Sequence, residues 1–157
     1  TGKASATIVY DSKKDPFTDQ GLFDKVKSKP NIALVAFTAD GDVFGGFYNV
    51  AVTEQRRDFK DPDMFVFSFE SHGRCETPQR FDVKEEMKGD KYVWFFKDDS
   101  DRWFVKVGGR YGWFYLGNER SNTFCANLSW GFVGIENNTL TGKTRFTCTR
   151  IVAVHLQ

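Results

Sequence analysis

Short apolar segments in which large and small side chains alternate, cut by turn signals roughly every 8–14 residues, constrain this chain more than any other feature. The clearest runs from Met64 to Glu70, where Phe65, Phe67 and Phe69 share one face and Val66 and Ser68 the other. Similar stretches lie at 7–10, 31–38, 43–50, 81–83, 91–96, 102–107, 112–117, 130–135 and 145–156. Asp40-Gly41 is a hairpin dipeptide, and the acidic segment 98–101 reads as the solvated tip of a second hairpin. One helix is predicted over 19–27, capped by Thr18 or Asp19, with Leu22, Phe23 and Val26 on one face and Pro30 beyond its end. Many short strands with one or two helices predict a mainly β (α+β) fold, a two-sheet antiparallel β-sandwich with short flanking helices.

Composition supports that reading and narrows the function classes. The chain has 157 residues, a length that suits one domain, and we read 1–6 as a flexible tail and 7–157 as the domain. Its 17 Phe, 5 Tyr and 4 Trp favour strands and ring-built cores. A net charge of +1 gives no large basic field, so no nucleic acid is expected as a partner. The balance is uneven: residues 1–103 hold 16 Lys/Arg against 19 Asp/Glu, a net of −3, and residues 104–157 hold 6 against 2, a net of +4. No apolar run approaches the roughly 18 residues of a membrane helix, so no membrane insertion is expected. Cys75, Cys125 and Cys148 are odd in number and widely spaced, which points to a reducing, intracellular and cytoplasmic setting rather than a disulfide framework. The chain begins at Thr1 rather than Met, as a fragment or processed form would.

Familiar catalytic spacings do not emerge. Gly142-Lys143-Thr144 resembles the end of a phosphate-binding loop, but Asn137 stands where the leading glycine belongs and a strand, not a helix, is expected to follow. His72 and Cys75 are suitably spaced for two zinc ligands, but no second close pair completes a tetrahedral set, so neither metal nor cofactor is expected. Of two histidines only His72 is placed to serve as a base. Cys148 falls among apolar neighbours and should be buried; Cys75, in a polar loop beside Arg74, is the candidate reactive thiol. Phe146, Cys148, Val152, Val154 and Leu156 are expected to share one face of the last strand. Tyr111, Trp113 and Tyr115 alternate against Phe114. The expectation is that this ring-lined face lies in the core; if Trp113 and Tyr115 instead face solvent, they offer a stacking platform for a sugar or for bases. Arg56 and Arg57, in the charged loop 53–62, and the tip 98–102 are the candidate partner-binding positions.

The order of segments resembles one family. Tyr10-Asp11-Ser12 with Asp15 and Phe17, then the helix carrying Phe23, then Lys29-Pro30-Asn31-Ile32, follow the opening of the TLDc domain. Val43-Phe44-Gly45-Gly46-Phe47 resembles that family's glycine-pair strand, and Asp61-Pro62-Asp63-Met64-Phe65-Val66-Phe67-Ser68-Phe69 its Asp-Pro strand. Gly108-Gly109 corresponds to a glycine-rich turn. Arg150 and Val152 stand where the family usually has acidic residues, and 71–103 has no clear counterpart. The resemblance implies a β-sandwich with flanking helices and no defining catalytic centre. It also implies links to oxidative-stress resistance and to the vacuolar-type proton-pumping ATPase. On that basis the chain is expected to be a non-enzymatic protein-interaction domain, with Phe44, Gly45, Gly46, Phe47, Asp61, Pro62, Phe65, Phe67 and Ser68 as architectural motif positions. The alternative is a carbohydrate- or ligand-binding sandwich using exposed aromatics.

Overall fold

The computed structural model describes residues 2, 5–97, 103–120 and 123–157. Eleven strands lie among them: β1 (Ala6–Asp11), β2 (Ile32–Thr38), β3 (Val43–Tyr48), β4 (Phe59–Lys60), β5 (Phe65–Glu70), β6 (Gln79–Asp82), β7 (Tyr92–Phe95), β8 (Trp103–Gly108), β9 (Trp113–Gly117), β10 (Cys125–Ala126) and β11 (Cys148–Leu156). Two helices, α1 (Asp19–Val26) and α2 (Leu128–Gly131), and a 3₁₀ turn over Glu85–Asp90 complete the set. Every strand pair is antiparallel. A six-stranded sheet runs β1-β11-β2-β3-β5-β6 and a five-stranded sheet β10-β9-β8-β7-β4. The expected sandwich is present.

The inner faces meet in one apolar cluster. Leu34, Ala36, Phe44, Tyr48 and Val66 come from the larger sheet, and Val93, Phe95, Val105, Val107, Phe114 and Leu116 from the smaller. Phe44 sits edge-to-face against both Phe114 and Phe146, with each pair of centroids 5.3 Å apart. Helix α1 forms where expected: the Thr18 hydroxyl accepts a hydrogen bond from Gly21 N at 3.0 Å, and Leu22, Phe23 and Val26 are buried. Phe23 approaches Phe95 at 5.5 Å, which fastens the helix to the core. Pairing of β1 with β11 extends outward to Ser5, which exchanges backbone hydrogen bonds with Gln157.

Four expectations need correction. Phe65, Phe67 and Phe69 do not point into the sandwich. The register pairs Val66 with Gly46 and Phe81 on the inner face, and Phe65 with Phe47 on the outer one. Period-2 alternation says which residues share a face but not which face is covered. Trp113 and Tyr115 likewise face outward while Phe114 fills the core, reversing the expected side. Residues 130–135 do not form a strand. Leu128–Gly131 turns helically, Trp130 and Val133 are more than half exposed, and Gly134 has φ +75°. Lastly, β11 starts only at Cys148, and a bulge between Cys148 and Arg150 changes its parity. Cys148, Ile151 and Ala153 therefore face the core, whereas Val154 and Leu156 face outward. The loop 53–62 also holds the short edge strand β4, paired with β7.

Candidate binding surfaces

The glycine pair of β3 is set by what lies on either side of it. A methyl group on Gly46 would stand 2.8 Å from Val107 of the opposite sheet, and one on Gly45 would meet Phe67 Cζ at 2.7 Å on the outer face. Gly46 thus lets the two sheets approach, and Gly45 lets the Phe67 ring lie flat across its own sheet. Phe44 fills the interior between them, whereas Phe47 stacks on Phe65 outside at 4.9 Å. Asp61 is buried, and its carboxylate accepts hydrogen bonds from Asn49 N at 2.5 Å and Asp63 N at 3.1 Å. It ties the end of β3 to the entrance of β5, and Pro62 follows outside the strand. Ser68 is fully buried, and its hydroxyl has no partner among the described residues. These motif residues build the fold.

What the outward phenylalanines create is a surface. Across the larger sheet the register lines up Ile8, Val154, Ala33, Phe47 and Phe65, an apolar row crossing five strands. Val35, Phe67, Phe69, Pro78 and Leu156 extend it into a groove of about 480 Å³. Arg80 caps one side, with its guanidinium 3.7 Å from the Phe65 centroid and 2.6 Å from Asp82. Ile8 on β1 is 63% exposed and Phe69 on β5 is 50% exposed, toward the two ends of this sheet face, and the rings between them are buried. The sequence named Phe65 and Phe67 but missed Ala33, Val35, Val154 and Leu156 as their neighbours. Strand order, which joins segments more than a hundred residues apart, carried that information.

The outer face of the smaller sheet is different in kind. Tyr115 stacks on Trp103 at 4.4 Å and lies 4.8 Å from Phe124, while Phe96 reaches both Trp103 and Tyr115. The Lys106 amine lies 4.9–5.7 Å from the ring centres of Trp113, Tyr92 and Tyr115 and donates to the Tyr92 hydroxyl at 3.0 Å. Burial raises the Tyr92 phenol above its ordinary value. The alternation of Trp113 and Tyr115 signalled part of this platform. Its extension through Lys106 and Phe124 becomes visible only with the pairing β8–β9–β10.

The remaining candidates are held in structural networks. Arg56 and Arg57 are exposed as expected. Arg57 pairs with Glu54 at 2.6 Å, and Arg56, at φ +61°, donates its backbone N–H to Phe95. Residues 98–102 lie outside the described residues. Cys75 is half-buried, with its amide and thiol both directed at the Ser71 hydroxyl. Arg74, expected beside that thiol, instead reaches the buried Asp42 at 2.5 Å and the carbonyls of Thr139 and Leu140. His72 shares the same Asp42 carboxylate at 2.8 Å, which makes this a structural cluster around a buried charge. Burial raises the Cys125 thiol and pushes Cys148 up to about 12. Lys91 is wholly buried. Its amine donates to Tyr111 O at 2.5 Å and faces Asp90 at 3.4 Å, and burial lowers its ammonium below the ordinary value. Arg150 makes a two-pronged contact with Asp11, at 3.0 and 2.6 Å, whose hydrogen bonds hold that carboxyl at about 2.

Among the described residues, no group of three or more His, Cys, Asp or Glu is placed to hold a metal ion. No helix there is long and apolar enough to cross a membrane. The family model of the TLDc domain matches residues 1–151. No curated protein is significantly similar to the chain.

Proposed function

Because the chain belongs to the TLDc domain family, we propose that it is a non-catalytic protein-interaction domain whose partner docks on the outer face of the six-stranded sheet. The observation that carries this reading is the phenylalanine-lined groove of that face. Phe47, Phe65 and Phe67 pack on one another, each less than a tenth exposed, and line a groove that Phe69, half exposed, opens to water, in a place where an antiparallel sandwich ordinarily shows polar side chains. Such a surface costs free energy while wet and releases it when covered. Arg56 and Arg57, at the edge of the other sheet, are a second candidate contact. For the partner, the family resemblance supports a subunit of the vacuolar-type proton-pumping ATPase, and for the biological setting, resistance to oxidative stress. The three free thiols support an intracellular, cytoplasmic location.

The test is binding of the purified domain to the purified peripheral sector of that ATPase, measured by surface plasmon resonance. Phe69→Asp should abolish capture. Arg56→Glu with Arg57→Glu should weaken it without moving the melting temperature by more than a few degrees, since exposed substitutions usually change stability by no more than about 0.5 kcal/mol. Equal capture by Phe69→Asp removes the groove from the interface. Turnover of a peroxide or ester substrate that disappears in Cys75→Ser or His72→Ala overturns the non-catalytic reading.

A further inference from the structure

The second outward face, on the five-stranded sheet, has a composition that the phenylalanine groove lacks. It combines rings with cations. Trp103, Trp113, Tyr115 and Phe124 are each partly exposed; Trp103, Tyr115 and Phe124 contact one another in an aromatic floor over strands β8, β9 and the entrance to β10, and Lys106 joins the Trp113 ring to it. Lys106 stands within that floor, and Lys60 lies 5.3 Å from the Tyr92 ring at its edge. Among the described residues neither amine meets a carboxylate, unlike Lys25, Arg74, Arg80, Lys143 and Arg150. Lys106 has only a phenol as its hydrogen-bond partner there, so two of its three protons remain for a ligand.

We infer that this face binds an acidic carbohydrate chain, whose pyranose rings lie on Trp113 and Tyr115 while carboxylate or sulfate groups meet Lys106 and Lys60. The argument rests on complementarity. A pyranose presents a flat face of C–H groups that packs against a ring, and an aromatic floor exposed on a rigid sheet offers such contacts without ordering a loop. An apolar protein helix would find the amines an obstacle, because covering an unpaired ammonium with apolar groups costs its hydration. A single-stranded nucleic acid would also stack on rings, but it draws affinity from many neutralised phosphates. Here two amines and the Arg145 guanidinium, 5.8 Å from the Phe124 ring centre, serve the floor, and the chain as a whole carries only +1. A short anionic sugar needs no more than that.

The experiment is isothermal titration of the intact domain with oligogalacturonate, which is carboxylated, and with heparin-derived oligosaccharides, which are also sulfated. A neutral cello-oligosaccharide and oligo(dT) serve as comparison ligands. Binding of either acidic sugar, quenching of tryptophan fluorescence and weakening with added salt are the expected results. Lys106→Met keeps the methylene stem beside the rings and removes the charge, and it should weaken binding about tenfold. Trp113→Ala should do the same or more. Far-UV circular dichroism and a thermal melt establish that each variant is folded, and Lys143→Met, on a different surface, should bind as the parent does. Three results would overturn the inference: no binding of either acidic sugar, equal binding of the neutral sugar, or tighter binding of oligo(dT).

Discussion

Tyr48 shows how little tolerance a ring-built core has for a stray polar atom. Its ring is fully buried against Phe95, yet its hydroxyl has no partner among the described residues, and burial raises its phenol above the ordinary value. Tyr48→Phe removes a desolvated group while keeping the ring. It should leave stability unchanged or raise it by about 1 kcal/mol, as read from urea unfolding. Asp11 is the opposite case, a buried carboxylate that is fully satisfied. The Arg150 hydrogen bonds lower its value from 3.8 to about 2, so its contribution to stability is complete above the unfolded value. It declines as pH falls from about 4 toward 2, where the folded carboxylate takes up its proton. Arg150→Met should destabilise the domain near neutral pH and flatten that part of the acid limb in a pH series of chemical melts. An unchanged acid limb would show that the pair contributes nothing to the pH dependence.

At the scale of the element, β5 is the informative strand. Its two faces were both legible as faces, since Phe65, Phe67 and Phe69 alternate with Val66 and Ser68. A side chain's size suggested which face was buried, and that suggestion was wrong. The glycine pair of β3 explains why. Gly46 opens room for the opposite sheet beside Val66, and Gly45 opens room for the Phe67 ring outside. The consequence is measurable. Val66→Ser should destabilise by about 2 kcal/mol or more, because it removes core contacts and adds a buried hydroxyl. Phe69→Ser, at a half-exposed position, should shift the melt by no more than about 0.5 kcal/mol. Similar losses at the two sites would mean that Phe69 is covered in the free protein. The last strand teaches the same lesson differently: a one-residue bulge after Cys148 moved Val152, Val154 and Leu156 to the outer side.

On the scale of the whole molecule, the sandwich sorts three thiols by depth. Cys148 is buried on the inner face with its thiol pushed up to about 12, Cys125 is buried with a raised value, and Cys75 is half-buried in a loop. Alkylation of the native domain followed by mass spectrometry should therefore modify Cys75 first and Cys148 last, with all three equal in urea. The sandwich also leaves two outer faces of unlike chemistry, one apolar and one of rings and amines. The sequence alone determined the strand periodicity, the capped helix at Thr18, the hairpin at Asp40-Gly41 and the family, because each rests on neighbours within a few residues. Only the tertiary structure decided which rings meet the core and which line the groove of Phe47, Phe65 and Phe67 or the platform of Lys106, Trp113 and Tyr115. Side-chain alternation is symmetric between the faces of a strand, and only the packing of one sheet on the other breaks that symmetry.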